Sequence, residues 1–201
     1  MNDQGSPILY AIVTGSPAAR DIGKLVDLAQ ADGWDVCVIA SPDGCRFIDV
    51  DALTAKTGHV VRSQYKEPDA PDVLPPADGM IVAPITCNSL AKWAAGVSDT
   101  LPLGLLVEAV GKGLPVVAMP FSNWAQISFP AIQEAMRKLS EWGVTMLVGD
   151  EVYKQHEPGT GENYIHRFPW RMAWNALLEH PSLSVPGQAP AQSHPEGQRH
   201  M

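Results

Sequence analysis

Cysteine is scarce in this chain, with three copies, Cys37, Cys45 and Cys87, among 201 residues. None stands in a CxxC pair, and an odd count argues for free thiols rather than a disulfide framework. The six histidines are scattered and form no HExxH pattern, so no metal site is expected. No apolar run reaches the roughly 20 residues that a bilayer-spanning helix needs. The stretch MNDQGSPILYAIVTG carries no basic segment ahead of its apolar part, so no signal peptide is expected and the cytoplasm is the default compartment. Basic charge is short too: 14 Lys and Arg face 22 Asp and Glu, a formal net charge of −8. That balance argues against a nucleic-acid or membrane partner. GxGxxG and GxxxxGK[ST] are both missing, which removes the standard dinucleotide fingerprint and the P-loop.

What remains is an alternation of buried-looking strands and amphipathic helices. ILYAIVTG reads as a strand, and SPAARDIGKLVDLAQADG as a helix with Ser16 as its cap and Pro17 in its first turn. WDVCVIA is a second strand, which completes a βαβ unit and predicts a parallel sheet. HVV is expected to be a short third strand, with His59 at its start. Residues 64–78 hold four prolines and no periodicity, so they read as an exposed loop. Further strands are GMIVAP, LPVVAMP and VTMLVG; further helices are NSLAKWAAGVSD, LPLGLLVEAVGKG, ISFPAIQEAMRKLSEWG and GENYIHRFPWRMAWNALLEH. The order predicts an α/β fold, a single Rossmann-like doubly wound parallel sheet in three α/β/α layers. Residues 1–180 form the domain, and 181–201, rich in Pro, Gln, Ser and Gly, read as a disordered tail.

Ligands of such sheets bind beyond the carboxyl ends of the strands. Each end here carries small polar groups: Gly15 and Ser16, then Ser41, then the TCNS cluster from Thr86 to Ser89, then Ser122 and Asn123. The Gly15–Ser16 turn opens a helix and could hold a phosphate on backbone N–H groups, or be an ordinary capped turn. Lys92 lies one turn into its helix and can pair with Asp99. Asn123 can hold a ligand or cap a helix.

VTGSPAA, SPDGCRFI, ADGMIVAPITCNSLAKWAAGVSDTL and PVVAMPFSN follow one another in an order and spacing that resembles the homo-oligomeric flavin-containing cysteine decarboxylases. That flavoprotein superfamily takes in phosphopantothenoylcysteine decarboxylase, lantibiotic-peptide decarboxylases and flavin prenyltransferases. The resemblance covers roughly residues 8–147. Its most specific part is similar to P-x-S-A-N-T-x-x-K-x-A-x-G-x-A-D-x-L, with Thr86, Cys87, Asn88 and Ser89 standing for S-A-N-T and Lys92, Gly96, Asp99 and Leu101 in place.

The resemblance implies FMN as cofactor, bound between subunits of a homo-oligomer, a trimer or a dodecamer of trimers, that acts on a small-molecule or peptide substrate. It implies a phosphate turn at Gly15 and Ser16 helped by Ser41, an aromatic neighbour of the flavin at Phe47, and Thr86, Cys87 and Asn88 against the ring system. Asn88, Cys87 and Asn123 are the candidate catalytic residues. The pattern also breaks. The family's histidine before the Asn motif falls near Ala70, and His59 is the nearest in sequence. No cysteine follows Cys87 to serve as the family's flap thiol; that region carries Tyr153, His156 and Tyr164 instead. A decarboxylase-like oxidoreductase or lyase lacking the usual histidine is the first reading. A flavin prenyltransferase, with Arg20, Arg46 and Arg62 as second-phosphate candidates, and a non-catalytic flavin-binding subunit are the alternatives.

Overall fold

A computed structural model describes residues 5–71 and 73–183. Most of the expected tail lies outside the described residues. Five strands, β1 (Ile8–Val13), β2 (Asp35–Ala40), β3 (Gly79–Ile85), β4 (Val116–Pro120) and β5 (Thr145–Met146), form one parallel sheet in the order β2-β1-β3-β4-β5. The chain runs outward from β1 to β2, then returns across β1 to β3. The switch point therefore lies between the carboxyl ends of β1 and β3, where a crevice opens in sheets of this topology.

The near-continuous apolar runs of the strands reflect burial on both faces. Alternate side chains point to opposite sides of the sheet. Leu9, Ala11 and Val13 of β1 meet helices α1 (Gly23–Ala31) and α7 (Trp170–Leu178) through Leu25, Val26, Trp174 and Leu177. Tyr10 and Ile12 face α3 (Cys87–Ala94), α4 (Leu101–Lys112) and α6 (Pro130–Glu141), through Leu90, Trp93, Leu106, Met136 and Leu139. Two further helices are short: α2 (Val50–Thr57) and α5 (Trp124–Ile127). The layers are those of the doubly wound α/β fold expected from the alternation.

Three local expectations change. The helix expected from Ser16 begins as a 3-10 turn, Pro17–Asp21, and becomes α-helical only at Gly23; Ser16 stands at the start with no side-chain cap bond. HVV forms no strand. The residue after it, Arg62, makes one parallel bridge to Ile39, because only Arg62 exchanges backbone bonds with the β2 edge. The last helix is split into a 3-10 turn, Gly161–Arg167, and α7, since Pro169 forces Phe168 into an extended conformation. His59 sits at the amino end of β2, where its Nε2 lies 2.8 Å from Asp35 Oδ2. It is therefore at the far end of the sheet from the crevice.

Candidate active site

Thr14 closes the crevice floor. It follows β1, is 2% exposed, and its hydroxyl donates to the carbonyl of Pro84 at 3.1 Å. The same oxygen accepts from the Thr86 N–H at 2.8 Å, so one side chain ties the β1 and β3 ends together. Gly15 comes next, and the chain has no room for a side chain there: a Cβ would stand 2.8 Å from Cβ of Asp43. Ser16 follows, itself 2% exposed. Its hydroxyl oxygen is one of two buried side-chain polar atoms without a hydrogen-bond partner among the described residues. The other, Trp170 Nε1, does not border the crevice.

The β3 end turns directly into α3. Thr86 is its N-cap and accepts from the Ser89 N–H at 3.2 Å, which leaves Cys87 and Asn88 on the first turn facing the crevice. Cys87 donates through Sγ to Ser122 Oγ at 3.5 Å, and Ser122 in turn donates to Gln126 Oε1 at 2.5 Å. Burial pushes the Cys87 thiol above its ordinary value of 9.0, with the Ser122 contact pulling partly the other way. The group is therefore a protonated thiol at neutral pH. Asn123 caps α5, its Oδ1 accepting from the Gln126 N–H at 3.0 Å, and the same side chain borders the crevice. Capping and lining coexist at this residue.

His156 stands outside the candidate site residues, yet it is buried at the crevice wall with 6% exposure. A parallel bridge pairs it with Asn123, and its carbonyl accepts from the Trp124 N–H at 3.1 Å. Trp124 Nε1 also donates to Glu157 Oε2 at 2.7 Å. The segment after β5 is thus laced onto the β4 end. Tyr153 adds a second tie, donating to the Pro120 carbonyl at 2.5 Å; burial pushes its phenol up to about 12.

These elements enclose two adjoining hollows that share Gly15, Thr86 and Asn88. One, of about 310 Å³, is bounded by Ser16, Cys87, Ser122, Asn123 and His156. The other, of about 280 Å³, is bounded by Ser41, Asp43, Ser89 and Lys92. Ser41 Oγ accepts from the Gly44 N–H at 3.0 Å, and Lys92 pairs with Asp99 at 2.5 Å. Six of the seven residues expected around a cofactor, and all three catalytic candidates, therefore meet at one place. Phe47 does not join them. It ends the 3-10 turn Gly44–Phe47 and packs against the α1 and α7 side of the core. A larger hollow, of about 500 Å³, lies against α4 under the proline-rich loop, at the amino end of the strands and away from these groups.

Joined, the two hollows suit a long, partly planar anion: hydroxyl and backbone donors at a helix start, and a lined slot with a few aimed polar groups. No group of three or more histidine, cysteine or acidic side chains suited to a metal occurs among the described residues, and no helix there is long and apolar enough to cross a membrane.

The model of a family described as Flavoprotein matches residues 2–163. The coenzyme A biosynthesis bifunctional protein CoaBC of Bacillus subtilis is 30% identical over 152 residues, 73% of this chain and 36% of that protein. The chain thus spans about a third of that relative's length. The probable phosphopantothenoylcysteine decarboxylase of Arabidopsis thaliana is 27% identical over 149 residues, 70% of this chain and 73% of that protein. Among solved structures, the FMN-dependent cysteine decarboxylase SpaF superposes with a TM-score of 0.62 at 23% identity, covering 71% of this chain and 83% of that one.

Proposed function

We propose that this chain, which belongs to the Flavoprotein family, binds FMN across the switch point of its sheet and acts as a decarboxylase-like oxidoreductase on a small-molecule or peptide substrate. The observation that carries the reading is the Ser16 hydroxyl, buried without a partner beside a glycine that has no room for a side chain. A buried polar atom left unsatisfied is costly, and a ligand oxygen would satisfy it. Gly15, Ser16 and Ser41 would hold the phosphate, and Thr86, Cys87 and Asn88 would line the ring's slot. When bound, FMN supplies the capacity to accept two electrons from the substrate. The protein's own groups bind, orient and exclude water.

The alternatives are weaker on this site. A prenyltransferase needs a second phosphate site, but Arg20 is committed to Glu162, Arg46 lies beside Asp43 and Arg62 borders the far hollow. These cations do not converge. A purely binding subunit gives no account of a buried imidazole at the crevice wall.

The family resemblance also supports a homo-oligomer, with a trimer as its unit. Trp124, which follows the crevice residue Asn123, and Phe129, just after α5, are 49% and 60% exposed, which suits a surface that a second copy covers. The test is titration of the purified protein with FMN, followed by flavin fluorescence, beside the Ser16→Ala variant. Saturable binding that the variant weakens supports the reading; equal binding by both removes Ser16 from the phosphate site.

A further inference from the structure

The crevice holds a titratable side chain that no expectation for the site had included. We propose that His156 is the proton acceptor of this site, supplied from the segment after β5 in place of the histidine missing near Ala70. The inference rests on the crevice being the ligand site. It does not depend on which flavin or substrate fills it.

Four observations place the group. Nδ1 of His156 lies 2.9 Å from the Glu157 carbonyl oxygen. A carbonyl can only accept, so Nδ1 carries the proton and Nε2 of the neutral ring keeps its lone pair. No hydrogen bond engages Nε2 among the described residues, and the side chain borders the 310 Å³ hollow with Cys87, Ser122 and Asn123. The ring is held on both sides: Tyr164 stacks at 5.8 Å and 25°, and Phe121 lies tilted at 5.2 Å. Finally, Gly161 stands against the Nε2 edge, where a Cβ would come within 3.1 Å of Cε1 and 3.2 Å of Nε2. Gly161 is not in the left-handed region, so backbone conformation does not require a glycine there. A Cβ there would instead press on the imidazole and displace it by a few tenths of an ångström.

The Glu157 carboxylate is held by Trp124, Glu162 is paired with Arg20, and Arg167 lies over the Tyr164 ring at 5.3 Å. Cys87 and Tyr153 are both neutral at pH 7, their protons held by burial. The step is a single proton transfer: an acidic X–H of the bound ligand gives its proton to Nε2, the conjugate base stays in the hollow, and the imidazolium keeps its Nδ1–H on the Glu157 carbonyl.

The test has a flavin-free arm and a flavin-loaded arm. In the full chain without added flavin, ¹⁵N–¹H correlations should show His156 as the Nδ1–H tautomer; an Nε2–H tautomer overturns the proposal. In protein loaded with FMN, anaerobic bleaching of the flavin by dithiothreitol should slow on the order of 10²-fold in His156→Asn, leaving a pH profile that follows only the ionisation of the dithiol itself. FMN affinity should fall far less than the bleaching rate, because the imidazole takes no part in the phosphate site. Gly161→Ala, which keeps the histidine and crowds Nε2, should slow bleaching as well and stands in if His156→Asn does not fold. Bleaching at the wild-type rate in either folded variant, an unchanged pH profile in His156→Asn, or no bleaching in the wild type overturns the proposal. Failure to bind FMN at all counts against the flavin reading, and the tautomer arm still decides the role of His156.

Discussion

Ser16 is the residue on which binding turns. Replacing it with alanine removes an unsatisfied buried hydroxyl, so the unliganded protein should be as stable as the wild type or slightly more so. FMN affinity should nonetheless fall roughly tenfold or more, the scale of one hydrogen bond to a charged group. Thermal melts beside fluorescence titrations separate the two effects; a variant that melts early and binds normally would contradict the assignment. Gly15→Ala should behave in the opposite sense. Its Cβ meets the Asp43 side chain at 2.8 Å, so overpacking should cost about 1–3 kcal/mol in chemical denaturation before any ligand is added. Cys87 gives a third residue-level expectation. Its folded-state thiol titrates above the ordinary 9.0, so alkylation by iodoacetamide should be slow at neutral pH and accelerate only beyond that value. Fast labelling at neutral pH would mean that a cation, not burial, sets its chemistry.

At the scale of elements, the site is built by a few ties between strand ends. Thr86 caps α3 and also takes part, through its N–H, in the Thr14 tie to β1. Thr86→Ala should cost about 1 kcal/mol through the lost cap, readable as a lower denaturant midpoint. Thr86→Ser, which keeps the oxygen, should recover most of it. These local features were legible in the sequence. Long apolar runs marked the buried strands, and the TCNS cluster marked the end of β3 because Thr is a good N-cap and small polar groups suit a strand–helix turn. The 3-10 start at Pro17 was not legible, since a proline after a serine signals a helix start without saying which helix. His156 was hidden for a different reason. Its position depends on a bridge to Asn123 and on rings from Phe121 and Tyr164, contacts that no local pattern encodes. Phe47 shows the converse: an aromatic in the expected register that is half-buried against the core and lines neither hollow.

Over the whole molecule, the sheet order places the loops after β1 and β3 side by side, and the loops after β2, β4 and β5 add Ser41, Asn123 and His156 around them. The buried acids add a pH limit. Cys37 is pushed from 9.0 up to about 12, chiefly by burial, and Tyr153 from 10.0 to about 12. Both hold their protons more tightly folded than unfolded, so their contribution is complete below pH 9 and is lost as the pH rises through about 12. Denaturant midpoints should therefore be flat around neutrality and fall progressively above pH 9. The most direct test of the central claim is equilibrium binding of FMN to the purified protein, read by visible absorbance and by the stoichiometry of bound flavin. One FMN for each chain, with the ring sequestered and affinity reduced in Ser16→Ala, is the predicted result. A colourless protein that takes up no FMN on reconstitution, while folded and melting cooperatively, would contradict it.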